Sequence, residues 1–296
     1  MQIRNFKPIE IEDRAIFKRF FLEDPPMCSE LTFTNLFIWQ HLYNPVWLEW
    51  EDNLLIILKP DSKDPFGLQP IGTGQKEKAL EILFGCLNEL TVSPSIRRVS
   101  ENFVNEYVDF NRYTTIFDRD NSDYVYRTRD LIELEGRKYH RKKNLLNKFM
   151  KNYRSIYREL DIELVECFMD MQESWCLLKN CLDTPDLLSE DYAVHVALKY
   201  LEELDYQGGA IQIDSKIEAF SLGEVLNPNT AVIHIEKANP DIPGLYSAIN
   251  QLFCSHAWNH IEYINREQDL GVEGLRQAKE SYYPHHMVNK YTIRQK

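Results

Sequence analysis

Residues 208–238, GGAIQIDSKIEAFSLGEVLNPNTAVIHIEKA, decide how this chain folds. GGAIQI and IEAFSLGEVL read as two strands joined at Asp214-Ser215, and AVIHIEKA reads as a third. Alternation with period two puts His234 and Glu236 on one face of that third strand, opposite Ile233, Ile235 and Lys237. Gly208-Gly209 ends a helix and starts a strand, which is a C-cap and not a phosphate loop.

Outward from this meander the chain supplies flanking helices. IELVE (162–166) and two helical stretches, CFMDMQESWCLLKN (167–180) and EDYAVHVALKYLEEL (190–204), come before it. A helix over 244–259, the strand IEYIN, the helix VEGLRQAKESYY and a last strand, HMVNKYTIR (286–294), come after it. The first half has the same order. A strand over 2–7 and helices in EIEDRAIFKRFFLE and TFTNLFIWQHL lead to VWLEW, a turn at Asp52-Asn53, LLIILK and a short strand over 66–71. The helix KEKALEILFGCLNEL, with Ala79, Leu80, Leu83, Leu87 and Leu90 on one stripe, then precedes a strand over 96–99. A helix over 102–110 and strands over 113–117 and 124–129 complete that half. No sequence repeat accompanies the repeated order. Two α/β domains are therefore expected, 1–130 and 131–296, each a mixed, mostly antiparallel sheet flanked by helices.

Composition agrees with a folded chain: 44% of the 296 residues are hydrophobic, enough to fill a sizeable core. No stretch approaches the roughly 20 apolar residues that cross a bilayer, and the N-terminus carries no secretory signal, so a cytoplasmic protein is expected. The six cysteines contain no C-x-x-C pair and are expected reduced and mostly buried. His256 and His260 lie four residues apart with no evident third ligand, so no metal is expected. P-loop, G-x-S-x-G and G-x-G-x-x-G motifs are absent.

The net charge of −12 argues against a protein that coats nucleic acid by bulk electrostatics, and no DNA partner is expected. Its distribution is uneven. Arg137, Lys138, Arg141, Lys142, Lys143, Lys148, Lys151, Arg154 and Arg158 fall in a window with no Asp or Glu, leaving 25 basic against 46 acidic residues elsewhere. Leu145, Leu146, Phe149, Met150, Tyr153, Ile156, Tyr157 and Leu160 recur at helical spacing, so a helix over 137–158 is predicted with one basic face. That face is either ordinary solvated surface or an anion site for phosphate, RNA backbone or a lipid headgroup.

Several stretches share one resemblance: GRKYHRKKNLLNKF (136–149), FSLGE, IHIEKA, GLYSAINQLF and YINREQDLGVEGLRQAKESYYP (263–284). Over about residues 25–296 the chain resembles the bacterial proteins related to the C-terminal domain of phosphatidylglycerol lysyltransferase. The resemblance implies two tandem GNAT-like acyltransferase domains, the first a degenerate support. It also implies kinship with enzymes that move an amino acid from aminoacyl-tRNA to an amine or hydroxyl acceptor. The implied donor is aminoacyl-tRNA or acyl-CoA, with no resident cofactor, and the implied acceptor is a small molecule or a lipid.

Within that frame the turn from Lys237 to Tyr246 occupies the place where GNAT enzymes cradle the pyrophosphate of coenzyme A. It holds one glycine, Gly244, and Pro240 and Pro243 each remove an N–H donor. Acetyl-CoA is therefore disfavoured, although Gly244 could still seat one anion. Aminolysis of an ester needs a proton acceptor. Glu236 is the first choice and Glu224 the second, unless both are structural. Arg266 and Lys279 are expected to hold a carboxylate, a phosphate or an oxyanion; alternatively they pair at the surface with Glu267, Asp269 and Glu273. Tyr246, Asn250 and Asn265 are candidate substrate contacts. Arg137, Lys138, His140, Arg141, Lys142, Lys143 and Asn144 are the candidate phosphate ligands.

Overall fold

Left-handed backbone turns begin both sheets. Glu51 and Asp52 (φ 43° and 58°) reverse Val46–Trp50 into Asn53–Leu58, and Asp214 and Ser215 (φ 48° and 69°) reverse the central hairpin of the second half. Successive positive φ values give a turn whose twist matches the strands on either side, and Asp tolerates that region. The computed structural model describes residues 2–61 and 63–296 and shows an α/β chain with two mixed sheets flanked by helices.

The chain falls into two compact units, one of Met1–Asp123, Gln268–Arg276 and Met287–Lys296, the other of Tyr124–Glu267 and Gln277–His286. In the first, the strands run in the order Lys7–Pro8, Val46–Trp50, Asn53–Leu58, Phe66–Gly67, Ile96–Ser100, Lys290–Gln295, Tyr113–Phe117, with Ile71–Gly72 paired to Asn53–Leu58. Helix Lys76–Leu87 lays Ala79, Leu80, Leu83 and Leu87 onto Leu55, Ile57, Ile96, Val99 and Ile293. Leu90, just past its end, is partly buried on the same core.

The second sheet positions the site, and its elements carry labels. Its strands are β1 (Asp123–Arg127), β2 (Ser155–Glu159), β3 (Gln207–Ile213), β4 (Lys216–Asn227), β5 (Thr230–Ala238), β6 (Tyr263–Asn265) and β7 (His286–Val288), in the spatial order β7-β1-β6-β5-β4-β3-β2. Its helices are α1 (Thr128–Glu133), α2 (His140–Asn152), α3 (Val165–Lys179), α4 (Pro185–Lys199), α5 (Leu245–Ala257) and α6 (Glu273–Glu280). All neighbours with printed register are antiparallel except β5 and β6. Phe149 of α2 and Leu245, Ala248 and Ile249 of α5 pack with Ile211, Ala219 and Ala238, which seats the basic helix on the sheet through α5.

Three expectations change. The basic segment is not one helix over 137–158: α2 stops at Asn152, and Ser155–Glu159 is the edge strand β2, paired with β3. Tyr153 leaves the helix in extended backbone (φ −123°), and its ring stacks on Phe149. Beyond it Ile156 and Tyr157 alternate as a strand, a pattern that a three-to-four spacing also fits over so short a run. IELVE is accordingly a short 3-10 turn leading into α3. The last strand divides: His286–Val288 lies in the second sheet, whereas Lys290–Gln295 returns to the first, between Ile96–Ser100 and Tyr113–Phe117. The ammonium of Lys290 anchors it there, fully buried and 2.6 Å from both Glu30 and Asp123.

The cysteines depart from expectation at one pair. Cys176 and Cys181 form a disulfide across the end of α3, while Cys28, Cys86 and Cys254 are buried free thiols and Cys167 is exposed. Among the described residues no helix is long and apolar enough to cross a membrane.

Candidate active site

The site forms where two parallel neighbours part. β5 pairs with β6 only at Thr230–Val232 against Tyr263–Asn265. Past Val232, β5 continues along β4 as far as Ala238. Past Asn265 the other chain turns away, held by Arg266 N donating to Tyr124 O and by Asn265 Oδ1 accepting from Glu267 N at 2.8 Å. Glu267 (φ 57°) completes that turn. Residues 233–238 therefore face a widening gap lined by side chains, in the second unit alone.

Polar bridges span the gap. Near its apex the His234 ring donates Nδ1–H to Glu267 and Nε2–H to Glu224, each at 2.8 Å, with the ring 2% exposed. Burial pulls its pKa down, but the two carboxylates outweigh that and raise it to about 9, so the ring is a cation at neutral pH. Two residues further along, Arg266 Nη2 donates to Glu236 Oε1 at 2.8 Å and Asn250 Nδ2 donates to Glu236 Oε2 at 3.0 Å. Both carboxylate oxygens of Glu236 are thus engaged, by a partner from the turn after β6 and one from α5. Among the described residues, Arg266 Nη1 and Asn250 Oδ1 have no hydrogen-bond partner.

Aromatic rings and two lysines complete the gap. The Arg266 guanidinium lies 4.9 Å from the centroid of Tyr282 and 5.8 Å from that of Tyr126. Lys279 donates to the Arg266 carbonyl, and Tyr126 donates to the Lys279 carbonyl at 2.8 Å, so α6 braces the turn that carries Arg266. Lys142 Nζ sits 3.9 Å from the Tyr282 centroid. Loss of water, with help from the nearby charges of Arg266 and Arg141, lowers the Lys142 ammonium to about 8 against the opposing pull of Glu236.

The structure brings together Glu236, Asn250, Arg266, Lys279 and Lys142 from the residues that the sequence nominates. Others lie elsewhere. Glu224 aligns with Val232, four residues from Glu236 and so roughly 13 Å away along the strand direction; it belongs to the His234 bridge. Asn265 is buried and spends its side chain on the turn. Tyr246 accepts from Trp175 Nε1 at 3.1 Å, so its hydroxyl is already engaged, although it still feels the charge of Glu236. Gly244 caps α5 with φ +87°, and a Cβ there would meet Leu145 O at 2.4 Å. Arg137, His140, Arg141, Lys143 and Asn144 are exposed, and exposed Lys138 lies 3.8 Å from Asp130 and over the rings of Tyr139 and Tyr283. Lys142 alone of this basic set turns inward.

The site also holds Tyr126, Tyr282 and the ion-bridging role of His234, none of which sequence reasoning assigned. One signal existed for Lys142. It lies three, four and seven residues before Leu145, Leu146 and Phe149, on the stripe that the helix buries.

This splayed mixed sheet, with helices on its faces, is the acyltransferase fold of the GNAT kind. Residues 26–294 match the model of the family described as "Phosphatidylglycerol lysyltransferase, C-terminal", and the chain belongs to that family. It is 31% identical to a conserved protein of unknown function from Bacteroides thetaiotaomicron whose crystal structure superposes with a TM-score of 0.92 over 98% of this chain and 99% of that one. The L-PGS structure from Bacillus licheniformis shares the fold, with a TM-score of 0.67 over 95% of this chain and 91% of that one, at 13% identity. An uncharacterised protein of Mycoplasmoides gallisepticum is 25% identical over 201 residues; the match covers 64% of this chain and 61% of that protein's length. Family and fold point to aminoacyl-tRNA-dependent and GNAT-like transferases.

Proposed function

We propose that the second unit transfers an aminoacyl group from aminoacyl-tRNA to an amine or hydroxyl acceptor in the gap between β5 and β6, and that the first unit is a degenerate copy serving as support. The observation that carries this is the Glu236 carboxylate held in a splayed sheet by Arg266 and Asn250, beside the cations of Lys142 and Arg266.

Each Glu236 oxygen retains a second lone pair beyond the bond it already accepts. Those lone pairs suit the ammonium of an incoming aminoacyl group, which a carboxylate fixed in place binds without reordering. When the acceptor attacks the ester carbonyl, negative charge develops on the carbonyl oxygen. Arg266 and Lys142 outnumber Glu236, and their net positive field stabilises that charge. Outside the gap, exposed Arg137, Arg141, Lys148 and Lys151 give the donor's phosphates a cationic track along α2, where contacts strengthen as salt falls.

Acyl-CoA is the second reading, and the turn between β5 and α5 weighs against it. Its N–H groups are spent inside the turn: Asn239 N donates to Glu218 O, Asp241 N to Asn239 Oδ1, Ile242 N to Asn239 O and Leu245 N to Ile242 O. Pro240 and Pro243 have none. Few donors remain to cradle a pyrophosphate.

The test offers the purified chain tRNA charged with labelled amino acids, together with amine and hydroxyl acceptors including phosphatidylglycerol. Label leaving the tRNA for an acceptor, in amounts that collapse in E236Q, supports the proposal. Transfer from acyl-CoA alone, or no transfer from any donor, overturns it.

A further inference from the structure

Glu236 is the residue the sequence favours as proton acceptor, yet both of its oxygens are already bonded, to Arg266 at 2.8 Å and to Asn250 at 3.0 Å. The two strongest claims on the other carboxylates are similar: Glu224 and Glu267 each bind the His234 ring at 2.8 Å. One amine in the gap is left with no hydrogen-bond or ion-pair partner among the described residues. It is Lys142, whose Nζ lies 3.9 Å from the centroid of the Tyr282 ring.

Its surroundings from each packed element are cationic or neutral apart from one carboxylate. Arg141 comes from its own helix, and Arg266 from the turn after β6. Tyr282 comes from the residues after α6, and Glu236 from β5. Glu236 is shared between Arg266 and Asn250, so it does not fix the lysine's proton. A lysine is a base only when it is neutral, and a partly buried amine beside a second cation is the arrangement that makes it so near neutral pH.

Resting on the transferase reading above, we propose that Lys142 is the proton acceptor of the transfer reaction. The neutral Nζ takes the proton of the attacking amine or hydroxyl as the new N–C or O–C bond forms and the carbonyl electron pair moves onto oxygen. The tetrahedral intermediate then collapses, the ester C–O bond breaks, and the Lys142 ammonium returns the same proton to the leaving ribose oxygen. Atoms and charge balance with no further reactant. Arg266 and Asn250 keep Glu236 in place, and Tyr282 provides the ring on which the ammonium form rests.

The value of about 8 for Lys142 gives the experiment its sign. If Lys142 is the base, kcat/KM rises with pH through about 8 and levels off above it. If instead its ammonium merely holds a substrate anion, activity falls through the same range, because the charge is lost. The measurement is the pH profile of aminoacyl transfer for the wild type, K142M and K142R. The expected result is a rising limb near pH 8 and a loss of about 10²–10³-fold in both variants, the usual share of a general base. Small primary amines added to K142M restore part of the rate, which shows that the variant is folded. Full activity in K142R, or a falling limb, overturns the proposal.

A second measurement separates this outcome from failure of the transferase reading itself. Amine-directed acylation of the full chain at a series of pH values, read peptide by peptide by mass spectrometry, follows Lys142 without any turnover. Half-reaction near pH 8 is expected, and half-reaction two units higher overturns the proposal whether or not a donor has been found.

Discussion

His234 should make the stability of this protein depend on pH in one direction over a defined window. Its ring is 2% exposed and bridges Glu224, 8% exposed, and Glu267, 18% exposed. Folding raises its pKa from the ordinary 6.5 to about 9. Below about 6.5 folded and unfolded chains both hold the proton, and the full stabilisation is present. As pH rises the unfolded chain releases its proton first, so stability falls through the window and is lost by about pH 9. At 1.36 kcal/mol per unit, a gap of about 2.5 units amounts to at most about 3 kcal/mol. Lys142 acts in the opposite sense: its folded value of about 8 lies below the ordinary 10.5, so its contribution to stability rises with pH above about 8. The informative quantity is therefore the difference between wild type and H234Q, in which Lys142 cancels. Urea unfolding followed by tryptophan fluorescence at pH 6.5, 7.5, 8.5 and 9.0 measures it. The gap in unfolding free energy should shrink by about 2–3 kcal/mol over that series. A difference that stays constant would mean that the buried imidazole is neutral, and the reading of the strand apex as an ion bridge would be wrong.

Three further outcomes follow from the geometry. E236A and R266A should each lower stability by about 3–5 kcal/mol, because each strands a charge whose partner is at most 14% exposed, and the double variant should lose less than the sum; additive losses in a double-mutant cycle refute the pairing. G244A should cost at least about 2 kcal/mol in chemical denaturation, since alanine is strained at φ +87° and its Cβ would press on Leu145 O at 2.4 Å; an unchanged midpoint counts against the way α5 packs on α2. R141E with K148E should weaken tRNA binding and flatten its dependence on salt while leaving the unfolding midpoint near wild type, because both side chains are exposed; salt-independent binding by the wild type would remove the cationic track from the account.

What the sequence makes legible is local. Both three-strand meanders are readable because turn residues with a taste for left-handed backbone, Asp52 at one and Asp214 at the other, separate runs of alternating apolar residues. The parting of β5 from β6 is not readable, because it depends on where a parallel pairing three residues long stops. The end of α2 is not legible because Tyr153, Ile156 and Tyr157 keep helical spacing, although in the strand Ile156 is exposed and Tyr157 stacks on His256. The return of Lys290–Gln295 to the first sheet follows from a buried lysine meeting Glu30 and Asp123, residues more than 160 positions away in the chain. The candidate site divides in the same manner. Glu236, Arg266 and Lys279 stand out as charges within strand and helix patterns. Tyr282 looks like ordinary packing, and Lys142 is one basic residue among the exposed cations of its own helix.

The direct test is a crystal structure of the full chain with a non-hydrolysable aminoacyl-adenosine. Density for the aminoacyl group between Thr230–Ala238 and residues 263–267, with its ammonium on Glu236 and its carbonyl within reach of Lys142, is the predicted result. Density only along the exposed basic helix, with the Arg266–Glu236–Asn250 cluster unchanged and closed, would contradict the assignment of this gap as the place where chemistry occurs.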